Sequence, residues 1–284
     1  MNDFNLEHYY TSVYDEADRF TTIRKVVFSC IFMISMLAVV IKVDYLLYFS
    51  AASLVALQIL ASFFKAKIDG LYMLGHNLQK HSMLVTTLPQ TLDHREITRL
   101  KGEVSLSVEM KVQEKITNNV DSVVYDNEDS YSGIEKLMKM IHENSFLNSQ
   151  FYKYKYEYSK KILIVSGFSC FILLIVFLPF LKNDDLLMLM PKFGFAILSL
   201  GVIYEIFEET VKTKKTADLM ASVDSYLCSI LDSDHKDEII IDVFSRYNEA
   251  KLITPNIPSS IYIKHSERVK NLWKSRFSIQ PLEQ

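Results

Sequence analysis

The sequence predicts a mainly α-helical integral membrane protein with two transmembrane hairpins and an attached aqueous module, and three observations carry that reading. First, four apolar runs occur as two close pairs: Val26 to Val43 with Tyr45 to Phe64, and Ile162 to Leu181 with Leu186 to Phe207. Each is near the roughly 20 residues that a helix needs to cross a hydrocarbon core. Lipid offers the backbone no hydrogen bonds, so continuous runs of this kind are expected to be helical. Second, the strong basic clusters all fall on one side of such an arrangement. Third, the chain has 284 residues, 49% hydrophobic and 23% charged, which leaves enough polar sequence for a modest water-soluble module. Only seven glycines and six prolines occur, which argues against long flexible linkers.

The implied order is a cytosolic N-terminal segment (1–25), hairpin 1 (26–64), a cytosolic middle segment (65–161), hairpin 2 (162–207) and a cytosolic C-terminal segment (208–284). The first 20 residues are polar and partly acidic, without the basic start and short apolar core of a secretion signal, so the first run is expected to be a retained span. Arg24 and Lys25 precede span one, and Lys65 and Lys67 follow span two. Lys153, Lys155, Lys160 and Lys161 precede span three, and Lys212, Lys214 and Lys215 follow span four. The hairpin tips carry only Lys42 beside Asp44, and Lys182 and Lys192 around Asp184 and Asp185. The positive-inside rule then puts both termini and the middle segment in the cytoplasm. The stretch FYKYKYEY, Phe151 to Tyr158, reads either as a base-stacking platform or as an interfacial belt of tyrosines and snorkelling lysines, and its place directly before a span favours the belt.

In the middle segment, Ile68, Leu71, Tyr72, Leu78 and Met83 keep near-helical spacing, so span two is expected to continue as a helix ending near Pro89. Val104, Leu106, Val108, Met110 and Val112 alternate with polar residues, the period of a half-buried strand, which suggests a small β element. Asp121 to Ser132 is acidic and turn-like, and Gly133 to Tyr158 reads as a helix entering span three. Beyond span four, a helical extension over Glu208 to Leu231 is followed by a polar loop, Asp232 to Glu238, and a helical or mixed segment, Ile239 to Leu252. Pro255 and Pro258 interrupt the chain, and Ser259 or Ser260 starts a terminal helix carrying Ile263, Val269, Leu272 and Trp273.

Catalytic signatures are missing: there is no P-loop, HExxH, GxSxG or GxGxxG. His76 and His81 lie five apart, a poor spacing for a helical zinc pair, and His94, His142, His235 and His265 are scattered. Asp232, Asp234 and Asp237 lack the glycine and closing glutamate of a calcium loop. The three cysteines, Cys30, Cys170 and Cys228, form no disulfide framework and read as reduced thiols. No enzyme, metal or cofactor is therefore expected. The net charge of −3 gives no reason to expect bulk nucleic-acid binding.

Polar groups inside the spans are more informative, because lipid penalises them. Gln58 sits well inside span two, where a glutamine either bonds to another helix or faces a water path. In span four, Gly194, Leu198, Gly201 and Glu205 share a face, either as a close-packing stripe or as the lining of an oligomeric pore with Glu205 at its inner mouth. Pro191 and Lys192 are candidates to break that helix near the outer surface. Ser29, Ser35 and Ser50 are among the hydroxyls able to bond back to helix carbonyls. No span carries the several charges of an ion pump, and four spans are few for an inverted-repeat transporter, so a homo-oligomer around a pore is the expected conducting form.

The tail segments Arg246-Tyr247-Asn248, Thr254-Pro255-Asn256-Ile257-Pro258, Ile261-Tyr262 and Asn271-Leu272-Trp273, together with the two-hairpin layout, resemble the four-span, pore-forming membrane effectors of bacterial antiphage loci of CBASS type and Hailong type. The QR-x-LY segment near the N-terminus of the four-span effectors has no clear counterpart; His8-Tyr9-Tyr10 occupies the comparable place. The resemblance implies a multi-pass protein of the bacterial inner membrane. Its cytosolic module would sense a nucleotide signal made by a neighbouring nucleotidyltransferase, and its spans would then depolarise the cell. Arg95, Arg99 and Lys101, the most basic part of the middle segment, would meet the phosphates, or else form a solvated helix face. The alternative is a non-conducting membrane scaffold or receptor that recruits a cytosolic partner.

Overall fold

The computed structural model describes residues 5–40, 44–91, 93–120, 131–181, 186–230, 236–254 and 257–277. Both hairpin tips, residues 121–130 of the acidic stretch, residues 232–235 of the polar loop and Pro255 lie outside these. The described residues form helices: α1 (Leu6–Val40), α2 (Asp44–Thr87), a single 3-10 turn (Pro89–Thr91), α3 (His94–Gly102), α4 (Leu106–Thr117), α5 (Gly133–Leu181), α6 (Leu186–Ile230), α7 (Lys236–Leu252) and α8 (Ser259–Phe277).

Local chemistry accounts for the boundaries. α2 stops at Thr87, just ahead of Pro89, because the residue before a proline is pushed out of the helical region. Asp93 caps α3, its Oδ1 accepting from the Arg95 backbone N–H at 2.9 Å. α4 ends where Asn119 takes the left-handed conformation at φ 47, and the Val120 N–H turns back onto the Lys115 carbonyl at 3.0 Å.

Three expectations are corrected. No strand occurs among the described residues: the alternating segment is α4. Of its apolar set, Val108 and Val112, four apart, are fully buried while Leu106 and Met110 are exposed, so the helical subset of the pattern faces the core. α6 runs unbroken through Pro191. The missing N–H costs one hydrogen bond, to the carbonyl of residue 187 in the opening turns, which a long helix tolerates. The start of FYKYKYEY is not an interfacial belt: Phe151, Tyr152 and Lys155 are buried in protein. Phe151 stacks on Tyr262 at 4.5 Å and Tyr154 on His265 at 3.9 Å, so this segment of α5 is a seat for α8.

The chain divides into two compact units. One comprises residues 1–18, 70–155 and 212–284; the other comprises 19–69 and 156–211. They are called the closed unit and the apolar unit below. The closed unit has two cores. In one, α5 contributes Leu137, Met138 and Ile141, α6 contributes Met220, Val223 and Leu227, and α7 contributes Val243, Tyr247 and Ala250. In the other, Tyr10 and Val13 of α1 meet Leu74 and Leu78 of α2, Ile97 and Leu100 of α3, and Val108 and Val112 of α4. Glu16 ties this second core together: it is buried and accepts hydrogen bonds from Ser105 (2.8 Å) and Ser107 (3.0 Å) at the start of α4, where the helix dipole favours a carboxylate.

The apolar unit is built the other way round. Its own core is a narrow seam of Val27 and Ile31 from α1 against Leu47, Leu54 and Ala61 from α2, with Val202 of α6 packed alongside. The seven-residue spacing on α2 marks a single packed stripe. Among the described residues, many other apolar side chains point outward: Phe49, Ile59 and Phe63 on α2, Phe207 on α6, and on α5 Ile164, Phe168, Phe171, Ile172 and Ile175, again at helical spacing. α2 is long and apolar enough to cross a membrane, and only 17% of its most apolar window is buried.

Candidate functional site

Within the apolar unit the polar residues fall into two groups. Glu205 neither snorkels alone nor stands as a bare carboxylate: the Arg24 guanidinium of α1 grips it through Nη2. Arg24 also donates from Nε to the Ala61 carbonyl of α2 at 3.2 Å and lies over the Phe28 ring at 4.6 Å. One arginine thus joins α1, α2 and α6, and Ala61 is small enough to let it reach the carbonyl. The pair is only 18% and 25% exposed, so each charge depends on the other. In the sequence Arg24 signals only the topology of the chain; its partner, 181 residues away, has no signal there.

Gln58 presents a different situation. Its Oε1 is buried with no hydrogen-bond partner among the described residues, as is Ser35 Oγ on α1. Other hydroxyls satisfy themselves locally, as when Ser29 donates to the Lys25 carbonyl (3.0 Å) and Ser50 to the Leu46 carbonyl (2.8 Å). Gly194 lies within α6. Gly201 is exposed, and a Cβ built there meets no atom within 4 Å among the described residues.

In the closed unit, the basic trio does not converge. Arg99 is held by Glu96 of its own helix and by Glu103 just past the helix end, and these carboxylates raise its pKa. Lys101 extends over the Tyr9 ring at 4.8 Å, and burial lowers its pKa. Arg95 is exposed beside the Asp93 cap. Two of the three charges are therefore engaged within the fold.

Another set of polar side chains does converge. His142 of α5, Asp224 and Cys228 of α6, and Arg276 of α8 meet at one point. His142 Nε2 lies 3.1 Å from Asp224 Oδ1 and 3.2 Å from Cys228 Sγ. Arg276 donates from Nη1 to Asp224 Oδ1 at 2.7 Å and from Nη2 to Cys228 Sγ at 2.9 Å. Trp273 closes one side, its ring 5.0 Å from His142 and 5.4 Å from Phe146, and Arg276 lies 5.1 Å over the same Phe146 ring. Burial works against ionisation of Asp224, but hydrogen bonds from His142 and Arg276 outweigh it and hold the carboxyl below its ordinary pKa. Burial pushes the Cys228 thiol up, with Arg276 pulling the other way. The imidazole, carboxylate and thiol atoms all lie within 4.8 Å of one another, a spacing that one metal ion can bridge.

His142 and Cys228, far apart in the sequence, are thus brought together by the fold. The one local sign was the i, i+4 spacing of Asp224 and Cys228, which puts both on one face of a helix. The other two members come from helices brought in by core packing. No match to this chain is found among protein-family models, curated proteins or solved structures.

Proposed function

We propose that this chain is a membrane-embedded, pore-forming or channel-like effector, with the apolar unit in the bilayer and the closed unit as its aqueous, ligand-sensing module. One observation carries the proposal: the same chain builds one unit that turns its apolar side chains inward and another that turns them outward. Soluble monomers rarely leave large contiguous apolar surfaces exposed, and lipid or further copies of the chain are what would cover this one. α1, α2, α5 and α6 each contribute to both units, so a ligand that shifts helices in the closed unit acts on segments of the same helices in the apolar unit. The Arg24–Glu205 pair is the polar contact whose rearrangement would accompany opening, since it ties three of the four apolar-unit helices to each other.

In this reading the copies assemble side by side in the bacterial inner membrane, with both termini in the cytoplasm. The signal is a nucleotide, with exposed Arg95 as the cation left to meet it. The test is reconstitution of the purified chain into potassium-loaded liposomes, with efflux followed in the presence and absence of cyclic di- and trinucleotides. Efflux that changes with a nucleotide supports the proposal. A chain that inserts and oligomerises but leaks no ions under any nucleotide would refute it in favour of a non-conducting scaffold. A chain that stays dissolved and folded without detergent would refute the membrane assignment itself.

A further inference from the structure

We propose that His142, Asp224 and Cys228 form a binding site for a divalent transition-metal ion of the zinc class, and that this ion competes with the Arg276 guanidinium, so that metal entry breaks the hydrogen bonds from the last turn of α8 to α6. The inference concerns the closed unit alone and stands whether or not the apolar unit enters a membrane.

The donor set comes first. Imidazole nitrogen, thiolate sulfur and carboxylate oxygen are the ligands that zinc and its neighbours take, three from protein leaving one position open. Geometry comes next. Bond lengths of about 2.0–2.3 Å in a tetrahedral site put ligand atoms roughly 3.3–3.6 Å apart. His142 Nε2 already stands 3.1 Å from the carboxylate and 3.2 Å from the sulfur, and all three ligand atoms lie within 4.8 Å of one another, so closing around an ion asks for side-chain movements of about 1 Å or less. The scaffold is stiff where it must be: Met138 and Ile141 on α5 pack with Met220, Val223 and Leu227 on α6 in one buried core, fixing the helix pair that carries all three ligands.

Arg276 gives the site its regulatory character. The Arg276 guanidinium donates to both the carboxylate and the sulfur, and supplies the counter-charge of the Asp224 carboxylate. A metal would satisfy the same two atoms, and the two cations cannot share them. His142 and Asp224 are buried, whereas Cys228 is exposed, so an ion can approach from the Cys228 side. Arg276 belongs to the final turn of α8, and its displacement removes the two hydrogen bonds by which that turn holds α6, while the Tyr262 and His265 stacks continue to hold the start of the helix.

The protein carries its own reporter. Trp273 is the single tryptophan, and its ring stands 5.0 Å from the His142 ring. The experiment titrates Co2+ into the full chain in mild detergent, after chelator treatment, and records absorption and tryptophan fluorescence together. Wild-type protein is expected to bind one Co2+ with a near-ultraviolet thiolate charge-transfer band and quenching of Trp273. Cys228→Ser, a change at an exposed position, should lose the band and weaken binding by about tenfold or more. Arg276→Gln should instead bind Co2+ several-fold more tightly, because the competing cation is gone. Far-ultraviolet circular dichroism confirms that each variant is folded. No thiolate band in the wild type, or a band that survives in Cys228→Ser, would overturn the site. Unchanged or weaker binding by Arg276→Gln would overturn the competition.

Discussion

Acidification should destabilise the closed unit chiefly through one imidazole. His76 lies on α2 beyond the apolar stretch, with Nδ1 2.7 Å from the Tyr14 hydroxyl, which in turn donates to Gln79 Oε1 at 3.3 Å. The rings of Tyr14 and Tyr72 stand 5.6 and 6.3 Å from the imidazole, and Tyr72 donates to Asp18 at 3.1 Å. His76 Nε2 is buried with no hydrogen-bond partner among the described residues, so a proton added there would gain no acceptor. Burial, and after it the positive charge of Lys251, lower the His76 pKa from 6.5 to about 3. Between these two values the unfolded chain binds a proton that the folded chain refuses. Stability is therefore full above about pH 6.5 and falls as the pH drops toward 3. Linkage makes the loss about 2 kcal/mol at pH 5 and about 4 kcal/mol near pH 3, against a typical total of 5–15 kcal/mol. The assay is thermal melting by circular dichroism, in mild detergent, at pH 7.5 and pH 5, for the wild type and His76→Gln. Glutamine still offers Tyr14 a hydrogen-bonding group but does not titrate. The wild type should lose about 5 °C more than the variant on acidification. Equal losses in the two proteins would refute the assignment.

Two glycines on α2 should respond oppositely to the same change. A Cβ at Gly75 would stand 2.6 Å from Tyr14 Cε1, on a ring already held by Tyr72 and His76, so Gly75→Ala should cost about 1–3 kcal/mol less the alanine gain in helix propensity. A Cβ at Gly70 meets nothing within 4 Å among the described residues and the position is exposed, so Gly70→Ala should stabilise by roughly 0.5–1 kcal/mol; comparison of melting temperatures decides. Arg24→Gln leaves the Glu205 carboxylate without its counter-charge in an apolar setting and should lower stability in detergent by about 2–4 kcal/mol, with Glu205→Gln in the same background recovering part of the loss. If the double variant melts no higher than Arg24→Gln, the two charges are not coupled.

The helical class and most helix boundaries were written in local sequence. Apolar spacing from Ile68 to Met83 carried α2 to the approach of Pro89, and the serines after Pro258 marked the start of α8. The alternation in α4 misled because five apolar residues at every second place include a pair, Val108 and Val112, that also fits one helical face; only the presence of Tyr10 and Val13 across from them decides which period is used. FYKYKYEY misled for a related reason: tyrosine and lysine suit a headgroup layer, but stacking partners from α8 gave the start of the stretch a protein seat instead.

What the sequence determined alone is the set of long helices and the concentration of apolar residues in four of their segments, because hydrogen bonding within a helix and spacing along it are local. What tertiary structure decided is which charges meet: Arg24 with Glu205, and His142 with Asp224, Cys228 and Arg276. Such meetings join residues separated by 48 to 181 positions and depend on how whole helices pack, which no short stretch of sequence encodes.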